Sequence, residues 1–188
     1  MRCPSEVMTA MRGYERLCLD FYDEPDRVRR LAAFCADVWI EAARSLFELI
    51  PPFDGGYPAP RLEVWAPGEL VRMEEDAVIL FSPQTYRAFF LEPDRRIAGS
   101  FDYSLFHTHS GDTKIVAELI GIEELSGIQI SVDPSGPAYT ELIPLFRSVQ
   151  EAGKALVITH ELDDRDVEVI IEALSPAGLA LERMRSAE

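Results

Sequence analysis

Two of the three histidines in the chain lie two residues apart, in the stretch Phe-His-Thr-His-Ser-Gly-Asp over residues 106–112. An apolar segment precedes them, which is typical of a buried strand that ends in polar residues. Because side chains alternate between the two faces of a strand, His107 and His109 point to the same face. Two imidazoles placed in this way can bind one metal ion, or one of them can act as a general acid or base.

Ionisable side chains also end three later apolar segments. Asp133 follows IQISV, His160 ends ALVITH and Glu182 lies within GLALER. If these segments are parallel strands, their carboxyl ends meet at one edge of the sheet, where loops gather functional groups. Asp133 is therefore a candidate catalytic residue, and His160 and Glu182 are candidate ligand-binding residues.

Three interpretations of this group of residues remain open. Catalytic zinc takes three protein ligands at roughly 2.0–2.3 Å and leaves one position open, so His107 and His109 would need a third ligand from a neighbouring strand end. Without a metal, His107 or His109 would act as a general acid or base with Asp133 or Asp76 as its partner, since an imidazole titrates near about pH 6.5. In the third interpretation the histidines only hydrogen-bond the following loop and close the strand.

The first half of the chain offers weaker candidates. Glu74, Glu75 and Asp76 precede the apolar run AVIL. We expect the two glutamates to lie in a solvated turn before a strand, and Asp76 to be the functional candidate because it adjoins the apolar run. Trp65 lies near a Pro-Gly turn, where its indole can stack on a flat ligand or pack in the core.

The elements that position these residues follow from the periodicity of the chain. The first fifty residues predict a helix that Ser5 caps and that runs to about Phe21, then a second helix that begins near Pro25. Short apolar segments alternate with helical segments from residue 62 onward, which predicts an α/β fold with parallel strands covered by helices. One domain would then contain three segments: a helical segment over 1–50, a Pro- and Gly-rich loop over 51–61, and βα units over 62–188.

Composition excludes several classes of protein. A chain of 188 residues with 47% hydrophobic residues can bury a core, and its net charge of −15 repels nucleic acids and anionic membranes. No apolar run is long enough to span a bilayer, and the N-terminus lacks the apolar core of a signal peptide, so we expect a cytoplasmic protein. Three widely spaced cysteines favour neither a disulfide framework nor a cysteine-based metal site.

The order of several segments resembles that of the uroporphyrinogen decarboxylase superfamily, which includes the decarboxylases of haem biosynthesis and the methyltransferases that act on corrinoid proteins. The matching segments cover most of residues 12–182 and are LCLDFYDEPDRVRRL, EEDAVILFSPQTYRAFFLEPDRRIAGSF, SLFHTHSG, GIQISVDP and GLAL. Members of this superfamily are (β/α)8 barrels, which usually need about 250 residues. The resemblance therefore implies that this chain is the C-terminal half, or slightly more, of such a barrel.

This resemblance also implies a function. It points to decarboxylation or methyl transfer on a tetrapyrrole, a corrinoid or another small molecule, with the barrel completed by a second copy or by a complementing N-terminal half. The arginine-rich motif and the pyrrole-binding aspartate of the decarboxylases are not in this sequence, so decarboxylation of uroporphyrinogen by this chain alone is not expected. A non-catalytic half-barrel that binds a ligand or a partner is the remaining alternative.

The zinc methyltransferases of the superfamily bind their metal through a His-x-Cys pair on a central strand and a later cysteine. His107 matches the histidine of that pair, whereas His109 stands where the cysteine would be. No cysteine follows residue 35. The resemblance therefore implies a zinc site from which the sulfur ligands are missing, and a histidine-based site takes its place.

Overall fold

Three helices precede the sheet in the computed structural model, which describes residues 1–59 and 61–183. They are α1 (Pro4–Arg12), α2 (Tyr14–Asp23) and α3 (Pro25–Leu49). The helix predicted to begin near Pro25 is confirmed, with the proline in the first turn, where a missing amide hydrogen costs nothing. The single helix expected from Ser5 to Phe21 is wrong, because Gly13 adopts a φ of +76° that no helical residue has and so separates α1 from α2.

A five-stranded parallel sheet forms the centre of the fold. Its strands are β3 (Leu70–Glu74), β4 (Tyr103–His109), β5 (Gly127–Ser131), β6 (Ala155–His160) and β7 (Leu179–Arg183), and they pair in chain order. A short antiparallel hairpin, β1 (Tyr57–Pro58) and β2 (Trp65–Ala66), comes before them. The predicted α/β class with parallel strands is therefore confirmed. An order without reversal is the order of α/β barrels, whereas doubly wound sheets reverse it, so the sheet is consistent with part of a barrel.

Helical segments connect the strands. The connections contain α4 (Pro83–Phe89), α5 (Leu91–Ala98), α6 (Val116–Ile120), α7 (Tyr139–Glu151), α8 (Asp164–Ala173) and the 3-10 helices Asp76–Leu80 and Ser110–Ile115. Ser82 caps α4 by accepting a hydrogen bond from the amide of Thr85. Asp163 caps α8 in a reciprocal capping box with Asp166.

The segment from Leu70 to Leu80 differs from the prediction. Its strand is Leu70–Glu74, and the apolar run AVIL belongs to the 3-10 helix that follows. Polar Arg72 and Glu74 alternate with Val71 and Met73 in this strand, which is the pattern of a strand with one polar face. Glu74 therefore ends a strand, and Glu75 and Asp76 follow that strand and do not precede one.

The two faces of the sheet have different cores. On one face Phe106, Ile128, Ile130, Leu156 and Ile158 pack beneath the helices in the main core. On the other face, which we call the inner face, Leu70, Leu105 and Val157 form a smaller apolar cluster with Ala59 and Ala66 of the hairpin region. The inner face is thus apolar near the hairpin, and its polar residues lie toward the carboxyl ends of the strands.

Two carboxyl groups, of Glu75 and Asp94, are buried behind the sheet, where 2% and 0% of their surface is exposed. The two groups are close enough for each to influence the titration of the other. Glu75 also accepts hydrogen bonds from the amide and the hydroxyl of Ser5, and Asp94 accepts one from the Tyr86 hydroxyl at 2.7 Å. The expectation that Glu75 lies in a solvated turn is therefore wrong, because the amino terminus of α1 covers it.

The environment of this pair changes its titration. Burial raises the pKa of Asp94 to about 7. Burial, followed by the neighbouring charge of Asp94, raises the pKa of Glu75 well above its ordinary range. Two neighbouring carboxyl groups without access to water cannot both ionise without strong repulsion, so the folded pair retains a proton that the unfolded chain releases.

This shared proton predicts how stability depends on pH. Because the folded state binds more protons than the unfolded state, the pair's contribution to the free energy of unfolding should fall as pH rises from about 4.5 to about 8. Glu75→Gln supplies a permanent N–H to Asp94 and keeps an oxygen for Ser5. We expect urea denaturation at several pH values to show a smaller loss of stability in Glu75→Gln than in the wild type.

Glu151→Gln is the matched control, since it removes one exposed carboxylate at the end of α7. It should keep the wild-type dependence on pH. A Glu75→Gln variant with the same dependence as the wild type would show that the pair holds no shared proton.

Candidate metal centre

The carboxyl end of β4 carries His107 and His109 on the inner face, as predicted from strand alternation. Their Nε2 atoms lie 3.1 Å apart. The neighbouring strand β3 places Glu74 beside His107 in the sheet register, and the chain then turns so that Asp76 approaches both rings. The Oδ1 atom of Asp76 lies 3.8 Å from Nε2 of His107 and 3.9 Å from Nε2 of His109.

These three side chains form a group that can hold a metal ion, since their ligand atoms all lie within 4.8 Å of one another. In a tetrahedral zinc site with bonds of about 2.0–2.1 Å, the ligand atoms are about 3.4 Å apart. The two Nε2 atoms are closer than that value, at 3.1 Å, and the Asp76 oxygen is farther from them, at 3.8 and 3.9 Å. Small side-chain shifts would therefore bring Asp76, His107 and His109 to bonding distance from one ion.

Hydrogen bonds on the far side of each ring determine how the two imidazoles are oriented. Nδ1 of His109 lies 2.8 Å from Oδ1 of Asp133, and Nδ1 of His107 contacts Oε1 of Gln129. Both partners are oxygen acceptors, so each Nδ1 carries a hydrogen, and the Nε2 of a neutral ring then presents a lone pair. Ligand histidines typically have this arrangement, in which the outer N–H donates to an oxygen and the inner nitrogen faces the metal.

Burial differs between the two rings. His107 is 6% exposed, whereas the side chains of His109 and Asp76 are 40% and 46% exposed. Burial lowers the pKa of His107, and the nearby positive charge of Arg72 lowers it further. His107 is therefore neutral at pH 7, which is the form that binds metals, and the exposed side of the group leaves room for water or a substrate.

Arg72 and Glu74 form an ion pair on the inner face next to this group. Nη1 of Arg72 lies 2.9 Å from Oε2 of Glu74, and both side chains are largely buried. Burial opposes ionisation of Glu74, but the charge and the hydrogen bond of Arg72, together with smaller effects of other nearby basic groups, lower the pKa of Glu74. Nε of Arg72 has no hydrogen-bond partner among the residues that the structure describes.

The other predicted site residues lie at different distances from this group. Asp133 contacts His109 directly, and Glu182 accepts a hydrogen bond from Thr159 at 2.9 Å on the same face of the sheet. His160 alternates with Thr159 and so lies on the helix-covered face, where its Nδ1 donates to the carbonyl of Val132. His160 is thus not part of the group.

Trp65 also lies apart from the metal-binding group. It belongs to the short hairpin, and its Nε1 donates to the carbonyl of Phe53 at 3.0 Å. The indole is 44% exposed. Its position gives it no contact with the two histidines.

Gln129 and Arg72 are among the inner-face residues that the sequence prediction missed. Each is a polar residue at an inward position of a strand whose outward positions are apolar, in GIQIS and LVRME. A polar residue that breaks the apolar run at one inward position was the available signal, because a buried polar group needs a partner on the same face.

Comparison of the chain with protein-family models, with curated proteins and with solved structures finds no match. The superfamily resemblance therefore stays a prediction, and the function is argued from the geometry of the site. Within residues 1–59 and 61–183, none of the helices combines the length and the apolarity needed to cross a lipid bilayer.

The neighbourhood of Arg72 predicts how His107 titrates. Arg72→Gln removes a positive charge that disfavours the imidazolium form, and it leaves the negative charge of Glu74 unpaired nearby. The pKa of His107 should therefore rise in the metal-free variant, as measured by an NMR pH titration of the imidazole C–H signals.

The control is Arg183→Gln, because Arg183 pairs with Asp164 at the exposed end of β7. That variant should leave the His107 titration unchanged. An Arg72→Gln variant in which His107 titrates at the same pH as in the wild type, or lower, would contradict the assigned role of Arg72.

Proposed function

We propose that this protein binds a divalent transition metal ion, zinc in the first place, through Asp76, His107 and His109, and that this ion serves methyl-transfer chemistry of the thiol-activating type. The observation that carries the proposal is the 3.1 Å separation between Nε2 of His107 and Nε2 of His109. In both rings the other nitrogen, Nδ1, donates to an oxygen acceptor. Two lone pairs at that distance repel each other unless a positive charge lies between them.

The donor set supports a catalytic site over a structural one. Two neutral imidazoles and one carboxylate leave bound zinc with a net positive charge and with an open fourth position. When bound, the ion acts as a Lewis acid that favours the deprotonated form of a thiol or a water molecule at that position. The chain's own contribution is to orient the two rings through Gln129 and Asp133 and to bury His107 away from competing water.

Methyl transfer is favoured over decarboxylation of a polycarboxylate. Asp76 and Asp133 lie beside the two histidines, Glu182 lies on the same face of the sheet, and the chain carries a net charge of −15. A substrate with many carboxylates would be repelled by these groups. A thiol and a methyl donor bring no such charge to the site, and the His107 and His109 positions match those of the metal pair in the methyltransferases that the sequence resembles.

The architecture belongs to the same proposal. We infer that β3 to β7 are the C-terminal part of a (β/α)8 barrel, which a second copy or a complementing N-terminal half would close. The strand order supports this inference, because the five parallel strands pair in sequence without reversal. The site would then lie at the carboxyl ends of the strands, where barrel enzymes have their active sites.

A second candidate function needs no metal. His109 and Asp133 form a hydrogen-bonded pair at 2.8 Å with 40% of the histidine side chain exposed. A carboxylate that orients an accessible imidazole in this way is typical of a general acid or base. This pair would transfer protons in a decarboxylase-type reaction if the chain proves to bind no metal.

Zinc binding is the direct test. The full chain, stripped of metal, should bind one equivalent of zinc in a calorimetric titration. His109→Ala and Asp76→Ala should each weaken binding by roughly a hundredfold or more, because each removes a ligand atom. His160→Ala is the matched control and should bind as tightly as the wild type, since His160 lies on the other face of the sheet.

Binding of less than about a tenth of an equivalent of zinc by a folded wild-type sample would remove the metal-based function. Equal affinity of His109→Ala and the wild type would place the metal elsewhere. Either result would leave the pair of His109 and Asp133 as the candidate site.

The type of chemistry can be tested with cobalt in place of zinc. Cobalt makes its ligands visible in the electronic spectrum, so a small thiol that enters the open position should produce a new charge-transfer band in the near ultraviolet. A small carboxylate of similar size should not produce it. If the spectrum of the cobalt-loaded chain does not change when the thiol is added, the thiol-activating role is contradicted. The proposal that a metal binds at this site would still stand.

A further inference from the structure

A chain of hydrogen bonds runs along the inner face from His107 to the last strand of the sheet. Oε1 of Gln129 contacts Nδ1 of His107, and Nε2 of Gln129 lies 2.9 Å from Oγ1 of Thr159 and 3.0 Å from Oγ of Ser131. Oγ1 of Thr159 lies 2.9 Å from Oε2 of Glu182. The chain crosses four neighbouring strands, with Ser131, Thr159 and Glu182 side by side in the sheet register.

The direction of every bond in this chain follows from its last member. An ionised carboxylate only accepts hydrogen bonds, so Thr159 must donate its single hydroxyl hydrogen to Glu182. Thr159 then has only lone pairs for Gln129, which must present its NH2 group.

The same reasoning continues to the metal-binding group. The two amide hydrogens of Gln129 go to Ser131 and Thr159, so its carbonyl oxygen is left for His107. An oxygen acceptor requires a hydrogen on Nδ1 of His107. A neutral imidazole has only one such hydrogen, and Nε2 therefore keeps its lone pair.

Because these residues are buried, the direction of each hydrogen bond in the chain is not easily reversed. Gln129 is 1% exposed, and Thr159 and His107 are each 6% exposed. Water therefore has little access to replace a bond that points the wrong way, and a reversed amide would leave buried groups unsatisfied. The carboxylate at the end of the chain thus controls a nitrogen atom that lies three hydrogen bonds away.

We propose that Glu182 is a positioning residue that acts through Thr159 and Gln129 to hold His107 in the tautomer with a free Nε2 lone pair. The part of this inference that concerns the tautomer applies to the metal-free chain. The part that concerns metal affinity rests on the proposed function. The polar side chains on the inner face of β5, β6 and β7 thereby orient one ligand atom, Nε2 of His107.

The tautomer is read directly by long-range proton–nitrogen NMR on the metal-free, full-length chain with labelled histidine, at a pH where His107 is neutral. The wild type should show the hydrogen of His107 on Nδ1. Glu182→Gln can present either an oxygen or an NH2 group to Thr159, so we expect a mixture of the two tautomers. Thr159→Val should also give a mixture, and Thr159→Ser, which restores the hydroxyl, should return the wild-type signal.

Glu168→Gln is the matched control, because it removes one exposed carboxylate on α8 outside the hydrogen-bonded chain. It should keep the wild-type tautomer. Urea denaturation of all variants separates a change of tautomer from a loss of folding. A hydrogen on Nε2 in the wild type, or a wild-type signal in both Glu182→Gln and Thr159→Val, would overturn the inference.

Zinc titration of the same variants tests the consequence for the metal. Glu182→Gln and Thr159→Val should bind zinc roughly tenfold more weakly than the wild type, which is the usual effect of losing a partner that orients a ligand. Thr159→Ser and Glu168→Gln should bind like the wild type.

The two proposals fail in different ways. If the wild type shows the expected tautomer but binds no zinc, the metal site is wrong and the orienting chain stands. If the wild type binds zinc and both Glu182→Gln and Thr159→Val bind it equally well, the metal site stands and Glu182 has no positioning role.

Discussion

The constraint on which the site depends is the approach of two imidazole nitrogens to 3.1 Å. Strand geometry sends both rings to one face, and oxygen acceptors on Gln129 and Asp133 hold the outer nitrogens. The inner nitrogens of His107 and His109 are left facing each other with lone pairs. Such a pair is stable only around a proton or a cation, so the polar contacts around it together define a binding site for positive charge.

The amino-terminal helix contributes to the site although it carries no ligand. The amide of Cys3 donates to the carbonyl of Glu74, and Ser5 donates to the buried carboxylate of Glu75. Glu6 accepts a hydrogen bond from the amide of Ala77. These contacts lie on both sides of Asp76 in the sequence. They hold the turn after β3 in place, so that the Asp76 carboxylate stays within reach of both histidines.

The inner face of the sheet has an apolar part and a polar part. Near the hairpin it is apolar and closed by Ala59 and Ala66, and toward the strand ends it holds Arg72, Gln129 and Thr159. A buried polar group without a partner costs about 1–3 kcal/mol, so polar residues can interrupt these strands only where they bond one another. The hydrogen-bonded chain and the ion pair of Arg72 with Glu74 meet most of this requirement. The contacts that offset the cost of burying these polar groups also orient the proposed metal ligands.

Much of the fold could be predicted from local pattern. The apolar runs of β4 to β7 and the proline at the start of α3 identify these elements without tertiary information, because alternation and capping act over a few residues. β3 could not be identified in this way, since Arg72 and Glu74 interrupt its apolar run. The burial of Glu75 could not be predicted from local pattern either, because the residues beside it, Ser5 and Asp94, lie 70 and 19 residues away in the chain.

The sequence by itself determined that His107 and His109 share a face, since side chains alternate strictly along a strand. Only the tertiary structure decided that Asp76 is their companion, that Gln129 orients one ring, and that His160 faces the other way from the site. Those facts depend on the register between strands, such as Glu74 beside His107 and His107 beside Gln129. Register is set by hydrogen bonds and packing between segments that are distant in the chain, and no local pattern encodes it.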